Sequence, residues 1–387
     1  MLNKKLEYML SNDPNVTLSE RGTKIRKIIR PAFIQVLKLG NKLKLTVEKN
    51  EFVKKDNRPI IYVVSHGFKD DVINTISTIK AAAYIIVGNI DLFFNTFDGT
   101  CLWIYGCQLV DRYNEESKHA MKNKMNRIME LGNDIMIFPE ATWNLSPNRP
   151  MENFHAGFYD VALKNNAIIV PVLTHKVGNK CYSRVLKSID INEFTEEDIY
   201  CILNSINKLT KKAIDILSNH LEISNDIVNS FIAINDMVDN ISNNMKIEDG
   251  LIIINKIEEF AKANLFKIKN YIISINDYTY SKDLFDREIT LEVLKRIELI
   301  MKRISMIKKV SVVKKIRDIM AIEKVDMYRQ NPDYSYMIDG KNMYEAWEDY
   351  LKDTISATPY FYAGPESTTV FKDPLVDEYE DVMKLKK

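Results

Sequence analysis

The chain has 387 residues, with 54 Lys+Arg, 53 Asp+Glu and 46% hydrophobic residues. That length predicts two or three domains, and the apolar content excludes a wholly disordered chain. A net charge of +1 gives no overall field for nucleic acid.

The four cysteines contain no Cys-x-x-Cys pair and no Cys/His cluster at zinc spacing, which suits a reduced, cytosolic chain. The opening residues, MLNKKLEYMLSNDPNV, lack the apolar core of a signal peptide. The most apolar stretch, AAAYIIVGNIDLFF, is too short for a span and carries Asn89 and Asp91.

Residues 1–58 read as a basic helical region. From Lys24 to Arg58 there are 11 Lys/Arg against Glu48, Glu51 and Asp56. RKIIRPAFIQVLKLGNKLKL mixes aliphatics and cations as an amphipathic surface helix does, which suits packing on the next domain and contact with a membrane surface equally.

Residues 59–190 alternate strand and helix signals. PIIYVV is a strand, DDVINTISTIKAAAY a helix with an acidic start, and AYIIVG a strand. EESKHAMKNKMNRIMEL is a helix that Gly132 stops. DIMIF is a strand, followed by a proline-bearing loop, the helix FHAGFYDVALKNN and the strand AIIVPVLTH. This alternation predicts an α/β fold with a mostly parallel sheet flanked by helices.

Residues 191–325 are almost free of Gly and Pro and read as consecutive helices. Leu294, Ile297, Met301 and Ile304 fall on one face, with Lys295, Arg296, Lys302, Arg303, Lys308 and Lys309 outside it. That pattern fits a helical bundle, and also a second membrane-surface helix. Residues 326–387 are aromatic and mixed in charge, and SATPYFYAGPEST reads as an ordered loop packing back on the body. No repeat of solenoid period is present.

The chemistry concentrates in VVSHGFKDDVINT. A strand ends at Val64 and a helix starts near Asp71, so His66 sits where an open parallel sheet binds ligands. With His66 in the loop and Asp71 in the first helical turn, the carboxylate can take one imidazole nitrogen and leave the other as a base. Asp70 and Asp71 also suit a helix N-cap and first-turn acid. Ser65 beside His66 lacks the Gly-x-Ser-x-Gly elbow of a hydrolase.

Downstream come GCQLVDR, IFPEATWN and IVPV. This order (His-x-x-x-x-Asp, a Gly…Asp-Arg block, Phe-Pro-Glu-x-Thr, Val-Pro-Val) resembles the glycerolipid acyltransferases, the lysophosphatidic-acid acyltransferase-like enzymes. The resemblance covers about 59–190 and implies an O-acyltransferase of bacterial phospholipid metabolism. By the same resemblance His66 is the general base, and Asp71 orients it and stabilises the imidazolium. The acyl group passes directly to the acceptor, without a covalent acyl-enzyme. Arg112 binds the acceptor phosphate, and Glu140 and Thr142 position its glycerol portion. Val170, Pro171 and Val172 are structural or line the acyl channel.

The implied donor is acyl-CoA or acyl-carrier protein, and the implied acceptor a lysophospholipid or glycerol-phosphate-like alcohol. No metal, further cofactor or nucleic acid is implied. The expected location is cytoplasmic, peripheral on the inner face of the membrane. The family's third block usually reads Phe-Pro-Glu-Gly-Thr-Arg, but here Ala141 and Trp143 replace Gly and Arg. Arg149, Lys69 and Lys164 are the candidate replacement cations. A catalytically silent lipid-binding or scaffold module on the same fold is the alternative, motivated by that altered block. A proline within an apolar strand, as at Pro171, suggests a bulge or an edge. Residues 191–325 have no counterpart in the minimal enzyme and read as an insertion.

Overall fold

The structure, a computed structural model, describes residues 7–41, 44–54, 56–68, 70–88, 97–141, 144, 150–218, 225–239, 246–277, 284–332, 337–338 and 341–342. Two compact units divide it. The first comprises the chain up to Glu193 and again from Lys315, and the second begins at Phe194 and runs to Lys314. The aromatic stretch 356–368 lies outside the described residues, as do Lys69, Thr142, Trp143 and Arg149.

The first unit is built on one eight-stranded sheet. Its elements in chain order are α1 (Pro14–Thr17), α2 (Glu20–Asn41), β1 (Lys44–Asn50), β2 (Ile60–Val64), α3 (Asp71–Ile79), β3 (Ala83–Val87), α4 (Phe97–Tyr105) and β4 (Cys107–Leu109). There follow α5 (Glu115–Glu130), β5 (Asp134–Ile137), α6 (Gly157–Asn165), β6 (Ile168–Val177), β7 (Lys180–Val185) and β8 (Ile189–Asp190). The strand order is β1-β7-β6-β2-β5-β3-β4, with β8 beside β6. All neighbours run parallel except β6 with β7 and β6 with β8. The predicted α/β sheet is therefore present. Every residue of β2 is buried, as suits a parallel strand covered on both faces.

Local chemistry explains three of the helix ends. Asn114 caps α5 by accepting the Ser117 N–H at 3.2 Å, and Gly132, at φ +67°, follows its last turn. Lys80, left-handed at φ 52°, ends α3 five residues before the helical spacing fades. The N-terminal segment departs from the basic helix read from it. Its amphipathic pattern ends in α2, and Lys44–Asn50 instead forms β1, an edge strand parallel to β7. Pro171 is not at an edge either. Its strand lies between β2 and the β7/β8 pair, and its carbonyl accepts the Leu186 N–H at 3.0 Å. The missing proline N–H falls where the partner changes, between the Ile169–Ile189 pair with β8 and the Val172–Val185 pair with β7.

The basic face of α2 is partly turned inward. Arg30 is buried, with its guanidinium 4.6 Å from the Tyr84 ring centroid and 5.1 Å from that of Tyr105. Its Nε donates to the Tyr105 carbonyl at 2.7 Å. Gly106, at φ +120°, makes the space, because a Cβ there would lie 2.5 Å from Arg30 Nη2. Ile25, Ile28, Ile29 and Val36 of the same helix are exposed, Ile28 to 77%.

The second unit is helical. Its helices α7 (Glu196–Ser218), α8 (Asn225–Asp239), α9 (Ile247–Asp277) and α10 (Leu284–Ile304) pack on one another as a bundle. Leu294, Ile297, Met301 and Ile304 are all buried, as their spacing predicts. Arg303, placed outside that stripe by the sequence, is buried too. Helix α11 (Ile307–Gln330) returns the chain to the first unit from Lys315 onward. There Arg184 of β7 binds Glu48 at 2.8 Å and, on α11, Glu323 at 3.1 Å and Asp326 at 2.6 Å. Short strands β9 (Met337–Ile338) and β10 (Lys341–Asn342) pair with each other. Among the described residues, no helix is long and apolar enough to cross a membrane.

Candidate active site

Four adjacent parallel strands, in the order β2-β5-β3-β4, deliver the candidate residues from their carboxyl ends. His66 follows β2, Glu140 follows β5, Gly88 follows β3 and Arg112 follows β4. This is where parallel sheets place ligand-binding loops.

His66 and Asp71 meet. His66 Nδ1 lies 2.8 Å from Asp71 Oδ2. The same oxygen accepts the main-chain N–H of Gly67 at 3.0 Å and of Phe68 at 3.3 Å. One carboxylate oxygen thus shapes the whole turn from strand to helix. Asp71 is fully buried, and its Oδ1 has no hydrogen-bond partner among the described residues. A carboxylate accepts only, so Nδ1 carries the hydrogen and Nε2 is the basic nitrogen of the neutral ring. The imidazole packs on Phe138, with ring centroids 4.4 Å apart, and its side chain is 19% exposed. Asp70, by contrast, makes no side-chain cap bond and pairs with Lys176 at 2.9 Å.

Glu140 holds His66 from the other side. Its Oε1 accepts the His66 main-chain N–H at 2.9 Å, and its Oε2 accepts the Glu152 N–H at 2.8 Å. Asn144 N–H closes the arrangement on the His66 carbonyl at 2.6 Å. Glu140 is only 4% exposed, and burial pushes its carboxyl up to about 7. About 7 is where it stands after the two main-chain donors and the charges of Lys324 and His66 have opposed the rise.

Arg112 projects from the loop after β4, and its Nη1 donates to the Ala141 carbonyl. Gly88 explains its path, because an added Cβ there would lie 2.7 Å from Arg112 Cδ. His155 is held close by, with its N–H on the Pro139 carbonyl at 2.8 Å. Burial, then the charges of Arg112 and Lys118, push its imidazole down to about 4. The structure therefore brings His66, Asp71, Glu140 and Arg112 to one edge of the sheet. Thr142 lies outside the described residues.

Sequence reasoning passed over Gly88, Phe138 and Lys324. Gly88 closes the strand AYIIVG, where a glycine after a strand end marks close approach. Lys324 sits on a stripe with Met320, Ala321 and Tyr328, all buried. A cation on an apolar helix face is itself a signal. Among the described residues, no group of three or more His, Cys, Asp or Glu gathers to hold a metal ion.

Residues 44–175 match the acyltransferase family, which bears out the resemblance carried by the ordered motifs. The chain is 25% identical over 150 residues to the 1-acyl-sn-glycerol-3-phosphate acyltransferase of Escherichia coli (strain K12). That match takes in 36% of this chain and 60% of the relative. The enzymes of the same name from Salmonella typhimurium and Salmonella typhi match to the same extent. The chain thus spans about 60% of the length of these curated relatives.

Proposed function

We propose that this chain is an O-acyltransferase. It moves a fatty acyl group from acyl-CoA or acyl-carrier protein to a hydroxyl of a lysophospholipid or glycerol-phosphate-like acceptor. The observation that carries the reading is the 2.8 Å contact between His66 Nδ1 and a buried Asp71, inside a segment matching the acyltransferase family. In this reading Nε2 takes the proton of the acceptor hydroxyl as its oxygen attacks the thioester carbonyl. The tetrahedral intermediate collapses, the thiolate leaves, and the imidazolium returns the proton to the sulfur. Asp71 stabilises the imidazolium between those two transfers.

Arg112 is the proposed phosphate ligand, a task for which a guanidinium fork is suited. Glu140 and Thr142 are the proposed glycerol-positioning residues. With both oxygens of Glu140 taken by main-chain N–H groups, its contribution runs through the position of His66 and of its own turn. The proposed reaction needs no metal or further cofactor.

The proposed place of work is the inner face of the bacterial membrane, with the protein peripheral. A long-chain lysolipid resides in a bilayer, and α2 offers an exposed aliphatic row beside Lys24 and Lys27. Purified protein offered a panel of lysolipids and both donor types should give a new ester by mass spectrometry. His66→Ala should lower that rate by about 10³-fold while unfolding as cooperatively as the wild type. Turnover persisting in that variant removes the base assignment. Vesicle binding with no ester from any donor–acceptor pair favours a silent lipid-binding module instead. Replacing Ile25, Ile28 and Ile29 together with Ser should weaken sedimentation with anionic vesicles by about tenfold or more. Unchanged sedimentation removes α2 as the membrane contact.

A further inference from the structure

The helical unit has no part in the chemistry above, and the stripe in it that also fits a membrane surface is not available. Leu294, Ile297, Met301 and Ile304 are buried in the bundle. The open face of the unit lies on α9 instead. That helix packs on α7, α8 and α10 and buries Ile254, Ile257, Ala261, Ile268 and Ile272. On its other side Phe266 is 67% exposed and Ile273 is 55% exposed. At 3.6 residues per turn these two lie within about 20° of each other, about two turns apart.

Single exposed apolar residues are ordinary on a folded protein. The surroundings of these two are not. Lys262, Lys267 and Lys269 all stand within four residues of Phe266, and all three are exposed. From Lys262 to Ser274 the helix carries no acid. Lys269 has Glu298 at 3.9 Å, while among the described residues Lys262 and Lys267 make no ion pair. Glu259 is the nearest exposed acid on this face, about two turns before Phe266.

An apolar pair flanked by available ammonium groups complements a surface that is anionic outside and apolar beneath. Lysine stems can lie along the apolar boundary while their heads reach phosphates. The area argues for lipid over protein. Thirteen helical residues span about 20 Å and present a strip about 10 Å wide, or about 200 Å². A stable protein partner covers about 800 Å² on each side and wants a complementary shape, whereas a bilayer accepts a convex helix as it stands.

We propose that this half of α9 is a docking face for an anionic lipid surface. Phe266 and Ile273 enter the boundary between headgroups and acyl chains, and Lys262, Lys267 and Lys269 meet lipid phosphates. The inference deepens the membrane part of the proposed function and gives the helical unit a task. It stands without the acyl-transfer reaction.

The test uses the full chain and vesicles of phosphatidylcholine with or without phosphatidylglycerol. Phe266→Trp puts an indole on the face, away from α2. With phosphatidylglycerol present, its added emission over the wild type should shift to the blue and fall about twofold or more with brominated lipid. An indole that stays in water overturns the proposal. Lys262→Gln/Lys267→Gln/Lys269→Gln should weaken sedimentation with the anionic vesicles by about tenfold or more at low salt, and by less at high salt. Unchanged sedimentation of that variant overturns the charge complementarity on which the proposal stands. Two other occupants are open to the same variants. Binding of purified acyl-carrier protein that the lysine variant loses, with vesicle binding unchanged, gives the face to an acidic protein and overturns the lipid assignment. A dimer in sedimentation velocity that Phe266→Ser dissolves, with the indole unmoved by lipid, gives it to a second copy and does the same. A blue-shifted indole in a protein that yields no ester leaves this face standing and sinks the reaction alone.

Discussion

The turn after β2 and the turn after β5 both hold His66, and they do so by different means. Asp71 gathers three donors on a single oxygen, all from within five residues of itself. Glu140 divides its two oxygens, one to His66 N–H across 74 residues of chain and one to Glu152 N–H across 12. The first arrangement sets the orientation of the ring and is local. The second sets where the ring stands in the sheet and exists only because β5 lies beside β2. Orientation and placement are therefore separable, and each has its own carboxylate.

The largest effect should come from the local side. Asp71→Asn retains an oxygen for Gly67 and Phe68 but presents a neutral amide to Nδ1. A neutral partner neither fixes the tautomer nor stabilises the imidazolium. We expect kcat to fall by about 10³- to 10⁴-fold, with the fold retained by circular dichroism. A loss under about tenfold in steady-state assays would mean that orientation does not come from this carboxylate.

The long-range side should respond in stability as well as rate. In Glu140→Gln an amide N–H₂ faces a main-chain N–H, which leaves one buried donor without an acceptor and costs about 1–3 kcal/mol. Its pH signature is specific. Burial raises the Glu140 carboxyl from an ordinary 4.5 to about 7. The folded state therefore binds more protons than the unfolded state between those values. The stabilisation from that bound proton is complete below about pH 4.5 and disappears as pH rises through about 7. Urea unfolding from pH 5 to 7.5 should show wild-type stability declining more steeply than that of Glu140→Gln. Parallel slopes would show that Glu140 titrates alike in both states.

The same division explains what could be read before the fold was known. The parallel α/β core was legible because PIIYVV, AYIIVG, DIMIF and AIIVPVLTH carry strong local signals. So was the His66–Asp71 pair, whose spacing alone permits the contact. Strand β1 was not, because KLTVEKN follows a basic helix and its strand state comes from pairing with Cys181–Val185 far along the chain. Glu140 was found by its motif, but its two main-chain partners depend on tertiary placement. Lys324 lies 184 positions beyond Glu140, past the whole helical unit, and no local pattern links the two. Arg30 and Arg303 mislead in the same way, since both sit where a helical wheel suggests solvent and are nonetheless buried.

The smallest effect tests whether the long-range turn carries strain that the local one lacks. Ala141 adopts φ +56°, in the left-handed region, whereas no described residue from His66 to Asp71 has a positive φ. A Cβ there costs about 1–2 kcal/mol. The turn keeps the conformation because the Ala141 N–H donates to the Phe138 carbonyl at 3.0 Å and its own carbonyl accepts from Arg112. Glycine at this position removes the steric cost but gives the unfolded chain extra freedom worth about 0.4–1 kcal/mol. The balance favours Ala141→Gly by a few tenths to about 1 kcal/mol, read as a higher urea midpoint at unchanged slope. A lower midpoint would show that the methyl makes contacts outweighing its strain, and that the turn after β5 is as relaxed as the turn after β2.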